Sequence, residues 1–87
     1  MSDLIIVTKA EYVSGYTLAL TFSDGLRAEI DYSAWIERFP FFAPLKDVAY
    51  FRNFTVDEWT VSWPNGADIA PETLHKIAIQ NARPHSV

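Results

Sequence analysis

The chain has 87 residues, 49% of them hydrophobic, no cysteine, and a net charge of −4 from 7 Lys+Arg against 11 Asp+Glu. That length bounds one small domain over residues 1–87, and the apolar share supports a packed core rather than a disordered chain. The missing cysteine excludes a disulfide framework and thiolate metal sites, and the acidic balance argues against a nucleic-acid footprint, which needs basic density.

Chain order begins without an address. The apolar run Leu4-Ile5-Ile6-Val7 has no basic stretch before it. It is far shorter than a signal h-region or the ~20 residues of a membrane span, so a cytoplasmic protein is expected.

Residues 5–13 are rich in β-branched side chains and predict a first strand, with Ser14-Gly15 as its turn. Tyr16, Leu18, Leu20 and Phe22 alternate with Thr17, Ala19 and Thr21, the period of a half-buried strand. Ser23-Asp24-Gly25 is a hairpin signal, after which Leu26, Ala28 and Ile30 are expected inward and Arg27, Glu29 and Asp31 outward. Asp31 is placed to N-cap a short helix whose apolar face is Tyr32, Trp35, Ile36 and Phe39, ended by Pro40. Residues 40–53, punctuated by Pro40 and Pro44, read as irregular chain with one turn at Leu45-Lys46-Asp47. Phe54-Thr55-Val56 and Trp59 to Trp63 read as a second hairpin around Asp57-Glu58, closed by Pro64-Asn65-Gly66. A last helix is predicted over 71–81, with Pro71 in its first turn and Leu74, Ile77 and Ala78 as the buried stripe. Glu72 and Lys76 are spaced for an i,i+4 pair, and Pro84 stops the helix. The order β-β-β-α-(irregular)-β-β-α is α+β: an antiparallel sheet built from two hairpins and packed by two short helices, ordered over about 4–81 with a frayed tail at 82–87.

Several spacings together carry a resemblance. They are Leu18-x-Leu20-x-Phe22-x-Asp24-Gly25, then Asp31, Pro44-Leu45-x-Asp47 and Phe51, then Trp63-x-Asn65-Gly66-x-Asp68-Ile69-x-Pro71-Glu72-x-Leu74. Over residues 5–77 the chain resembles the domain of unknown function 2442 family, small bacterial α+β domains. The resemblance implies no activity, since the family has none established, and it implies structural roles for the motif residues. Some members continue into a helix-turn-helix module, for which a chain stopping at Val87 has no room. Members are often encoded beside another small protein, an arrangement similar to toxin–antitoxin operons. Ala70 departs from the Ser or Asp expected at the last helix's N-cap, a role that Asp68 is placed to take over.

No constellation asks for chemistry. Glu72-x-x-His75 with Asp68 is the one acid–His cluster, yet a metal site needs further ligands, and the remaining candidates are scattered carboxylates and His85. The plainer reading has Asp68 capping the helix, Glu72 favouring its positive end, and His75 on the surface. Asp57-Glu58 reads as a turn rather than an acid/base dyad, because adjacent turn residues point apart into water. Ser14, Ser23, Ser33, Ser62 and Ser86 lack a Gly-x-Ser-x-Gly elbow, and Gly15, Gly25 and Gly66 mark turns rather than a phosphate loop. The expectation is no catalytic residue, no metal and no cofactor. Lys9, Arg27, Arg38, Lys46, Arg52, Lys76 and Arg83 are spread along the chain, so direct nucleic-acid binding is not expected either.

The oddity is aromatic supply. Thirteen Phe, Trp and Tyr (6 Phe, 3 Trp, 4 Tyr) stand in 87 residues. Nine lie between Trp35 and Trp63, and a core this small cannot easily take all nine at full burial, since each ring carries roughly 150–250 Å². One reading is a bulky core. The sharper one is a protein-interaction surface at Phe39, Phe41, Phe42, Trp59 and Ile79, for a partner or a second copy, with the acidic charge favouring a basic partner. The alternative is a regulatory or ligand-sensing domain with a metabolite between the sheet and the 32–39 helix.

Overall fold

A computed structural model describes residues 4–82, the last of these by its backbone alone. The tail expected at 82–87 otherwise lies outside the described residues. The chain folds as α+β, with an antiparallel three-stranded sheet, a separate two-stranded sheet and short helices.

Strands β1 (Val7–Ser14), β2 (Thr17–Phe22) and β3 (Arg27–Asp31) pair in sequence order. The β2–β3 register runs from Thr17 opposite Asp31 to Thr21 opposite Arg27, and Gly25 supplies the turn's positive φ of 92°. The alternating residues behave as their period requires: Leu18, Leu20, Phe22 and Ile30 are buried with Val7. On the opposite face the Glu11 carboxylate accepts from Lys9 at 3.4 Å and Arg27 at 3.1 Å. Ala19 is nevertheless buried on that face, where it lies between Glu11 and Glu29 in register. β1 carries register shifts near both ends, between Val7 and Lys9 and between Tyr12 and Ser14.

Helix α1 spans Ser33–Arg38. Asp31 stands one residue before the N-cap position but still serves it, its carboxylate accepting from Ser33 N at 2.9 Å and Ser33 Oγ at 2.6 Å. Tyr32 holds the cap position itself because its ring is needed in the core.

The segment expected to be irregular is not. It forms a 3-10 helix over Pro40–Lys46 and a short helix α2 over Val48–Phe51. Three residues per turn stack positions i and i+3, which turns Phe42 and Leu45 inward together, and Pro40 starts the helix without losing a hydrogen bond. Asp47 then caps α2 through Ala49 N at 3.0 Å, and the Tyr16 hydroxyl donates to the Lys46 carbonyl, tying the segment to the sheet.

The second hairpin forms as β4 (Thr55–Val56) and β5 (Val61–Ser62), a small sheet of its own. The Asp57 carboxylate closes its turn by accepting from Trp59 N at 2.8 Å and Thr60 N at 2.9 Å. Its link to the first sheet is Val7 N donating to the Trp59 carbonyl at 2.8 Å. Helix α3 spans Pro71–Ala82. The Ala70 carbonyl accepts from Thr73 N and Leu74 N, while Asp68 pairs with Ser62 in an isolated bridge. Leu74 and Ala78 are buried and Ile77 half-buried, as the stripe requires. The Glu72–Lys76 ion pair is not among those formed by the described residues, both side chains being exposed and solvated.

The core is centred on three rings. Phe51 stacks on Trp63 with centroids 5.6 Å apart, and Tyr32 meets both edge-on at 5.8 and 5.3 Å. The Trp63 indole Nε1–H donates to the Phe51 carbonyl at 2.7 Å in the buried interior. Among the described residues, the Tyr32 hydroxyl is the one buried side-chain polar atom without a partner, and burial pushes its phenol well above its ordinary pKa.

Trp63→Phe strands the Phe51 carbonyl and empties part of the ring's volume, so urea unfolding is expected to show a loss of about 2–4 kcal/mol. Tyr32→Phe removes a hydroxyl that is desolvated and unpaired, so the same assay is expected to show no loss or a gain of up to about 1 kcal/mol.

Candidate interaction surface

Phe39 and Phe41 lie at the junction of α1 and the 3-10 helix and are 48% and 57% exposed. Phe42, expected beside them, is instead only 7% exposed, because the 3-10 repeat groups it with buried Leu45. Pro40, Ala43 and Pro44 are exposed as well, so the segment shows water a nearly continuous apolar strip. Trp59, 50% exposed, belongs to a different element, the β4–β5 turn, and exposed Ile79 belongs to α3.

The strip is held from beneath. Phe39 N donates to the Trp35 carbonyl at 3.0 Å and Phe42 N to the Phe39 carbonyl at 2.9 Å. Asn65 Nδ2 donates to the Phe41 carbonyl at 3.0 Å while its Oδ1 accepts from Ala67 N, and Gly66 N closes the turn onto the Trp63 carbonyl. Gly66 has a φ of 88°, and a Cβ there would lie 3.8 Å from Cζ of Phe41. The Asn65-Gly66 turn therefore fixes where Phe41 stands, a contact across 24 residues that no local pattern announces.

The other quoted motif residues do structural work. Phe22, Leu45, Phe51, Trp63 and Leu74 are buried; Gly25 turns the chain; Asp24 and Asp31 accept backbone N–H groups; Pro71 opens α3.

His75 is not a free surface residue. Its Nε2 lies 2.8 Å from Oδ2 of Asp24, its side chain is largely covered, and its ring meets Phe22 edge-on at 5.0 Å. Being 51 positions apart, the pair was invisible to spacing arguments, and it fastens α3 to the β2–β3 turn. Asn81 Nδ2 adds a second fastening, donating to the Glu29 carbonyl at 3.2 Å. Asp68 and Glu72 do not join His75: among the described residues no three His, Asp or Glu side chains form a metal-holding group. Of the cations, Lys9 and Arg27 meet at the Glu11 carboxylate, while the Arg52 guanidinium stands 4.6 Å over the Tyr12 ring. Among the described residues no helix is long and apolar enough to cross a membrane.

A family model described as "Protein of unknown function (DUF2442)" matches residues 7–80. No curated protein and no solved structure matches the chain.

Asp24 links the helix fastening to pH. The Leu26 N–H first, and His75 second, hold its carboxyl below the ordinary carboxylate value. A carboxyl depressed in the fold contributes stability that is fully present above its unfolded pKa of about 3.9 and is lost as pH falls through the folded value. The Asp24 contribution to the stability difference between the protein and Asp24→Asn, followed by thermal melts, is expected to shrink as pH falls below about 4.

Proposed function

The chain belongs to the DUF2442 family, whose description assigns no activity, and from that premise we propose that it is a non-catalytic protein-interaction module of the bacterial cytoplasm. The observation that carries this reading is the apolar strip at Phe39 and Phe41, two large rings half in water on a backbone pinned by Trp35, Asn65 and the 3-10 helix. Rings already held in place lose little freedom on docking, which is the property of residues that dominate binding energy at interfaces. An operon-neighbour or antitoxin-like partner is the concrete form of this role. Direct nucleic-acid binding does not fit, because the net charge is −4 and three of the described cations are engaged within the fold.

One observation favours a second reading, a ligand-sensing domain. The Tyr32 hydroxyl is buried and unpartnered, and a small polar molecule reaching it would supply the missing hydrogen bond. Native mass spectrometry of protein purified from its source cells tests this. A stoichiometric adduct lost in Tyr32→Phe supports it, and a bare mass sinks it.

Affinity capture from source-cell lysate with nuclease present, run beside light scattering of the purified chain, tests the leading reading. The double substitution Phe39→Asp and Phe41→Asp is expected to leave the melting temperature within about 2 °C. It is expected to weaken capture of a stoichiometric partner, or self-association, about tenfold or more. A monomer that captures no stoichiometric partner, or a double variant that binds undiminished, overturns the reading.

A further inference from the structure

The two exposed aromatic places differ in their electrical surroundings. Around Phe39 and Phe41 the flanking charges cancel: Glu37 and Arg38 on one side, Lys46 and Asp47 on the other, all exposed. At Trp59 they do not. Asp57 and Glu58 precede it, both are exposed, and neither forms an ion pair among the described residues.

The Trp59 backbone is tied to the N-terminal segment. Ser23 N donates to the Ile6 carbonyl and Val7 N donates to the Trp59 carbonyl, each at 2.8 Å. The 6–7 segment thus lies between Ser23 and Trp59 as a middle strand does between two neighbours, which puts those flanks about 10 Å apart. Leu4, on the same N-terminal segment, is 62% exposed and Ile6 is half-buried, whereas Ile5 packs against the core and Val7 lies within it. The nearest cations on the sheet, Lys9 and Arg27, are both drawn to Glu11. The exposed Trp59 ring therefore stands beside two carboxylates, Asp57 and Glu58, that no described cation pairs with.

The backbone beneath the indole is rigid. Trp59 N–H is held by the Asp57 carboxylate and Trp59 C=O by Val7 N–H, so the ring is presented by an anchored chain. The Thr60 and Trp59 N–H groups keep the Asp57 carboxyl below its ordinary value and hence charged.

We propose that Trp59 is the docking place for a cationic segment of a protein partner, an Arg or Lys laid over the indole face and drawn by the Glu58 carboxylate. This rests on the interaction reading above and assigns the chemistry of one contact within it. Tryptophan is the best ring for a cation, and opposite charge at the rim steers and orients such a segment.

The test uses two synthetic twelve-residue amphipathic peptides with the same leucines, one carrying Arg and the other Glu at its polar positions. Each is titrated into ¹⁵N-labelled protein while the indole N–H signals of Trp35, Trp59 and Trp63 are followed. The expected result is a shift at the Trp59 indole and at amides of residues 57–60, with the Arg peptide bound at least tenfold more tightly than the Glu peptide. Trp59→Ala should abolish that difference. Glu58→Gln, an exposed change that leaves the turn's hydrogen bonds intact, should weaken the Arg peptide several-fold. Equal binding of both peptides, shifts centred on residues 39–44, no shift at all, or an unaffected Glu58→Gln overturns the proposal. Capture that depends on Phe39 and Phe41 would stand through any of those results, so the two readings fail separately.

Discussion

The hydrogen bond from the Trp63 indole to the Phe51 carbonyl is the constraint on which the remaining structure depends. An indole N–H is a donor with no acceptor capacity, so a buried tryptophan must be placed against a carbonyl or carry an unmet donor. Here the acceptor is the last residue of α2, a helix of four residues that could not stand alone. The bond fixes both ends of the stretch from Phe51 to Trp63 and so sets where the β4–β5 hairpin lies. Immediately after Trp63 the turn through Asn65 and Gly66 reaches the Phe41 carbonyl, so the same anchor decides where the exposed strip stands.

Exposure of some rings follows from geometry rather than from their chemistry. Phe41 and Phe42 are adjacent and chemically identical, yet one is more than half exposed and the other buried. The 3-10 repeat permits one of its three faces to point inward, and Leu45 occupies that face with Phe42. Net charge is an equally blunt guide. The protein is acidic as a whole, but acidity acts where it is left uncompensated, and Glu11 shows two cations being absorbed by a single carboxylate.

What could be read in advance was what repeats locally. The hairpin through Asp24 and Gly25 was legible because period-two alternation and a glycine that tolerates positive φ both point to it. α3 was legible from Pro71 and the Leu74, Ile77, Ala78 stripe. The 40–53 stretch was not, because two prolines suggest interruption, whereas Pro40 starts a 3-10 helix and Pro44 is tolerated inside it. Phe42 was placed on the wrong side for the same reason: without knowing that the segment was helical, no face could be assigned. Long-range polar contacts were hidden altogether. His75 meets Asp24 across 51 residues and Asn65 meets Phe41 across 24, and nothing in the neighbourhood of either residue encodes its partner.

The first strand has a consequence for how these chains behave when crowded. β1 is one edge of the three-stranded sheet, eight residues long and rich in side chains that favour extended pairing. Its two register shifts leave only four evenly paired residues between them, Lys9 and Glu11 stand among those four, and Val7 N–H is already taken by Trp59. A neighbouring molecule arriving edge-on finds a short, twisted and charged rail that cannot be extended strand by strand. The sheet therefore resists fibrillar growth along this edge, and contacts with other chains are steered to side chains rather than to bare backbone.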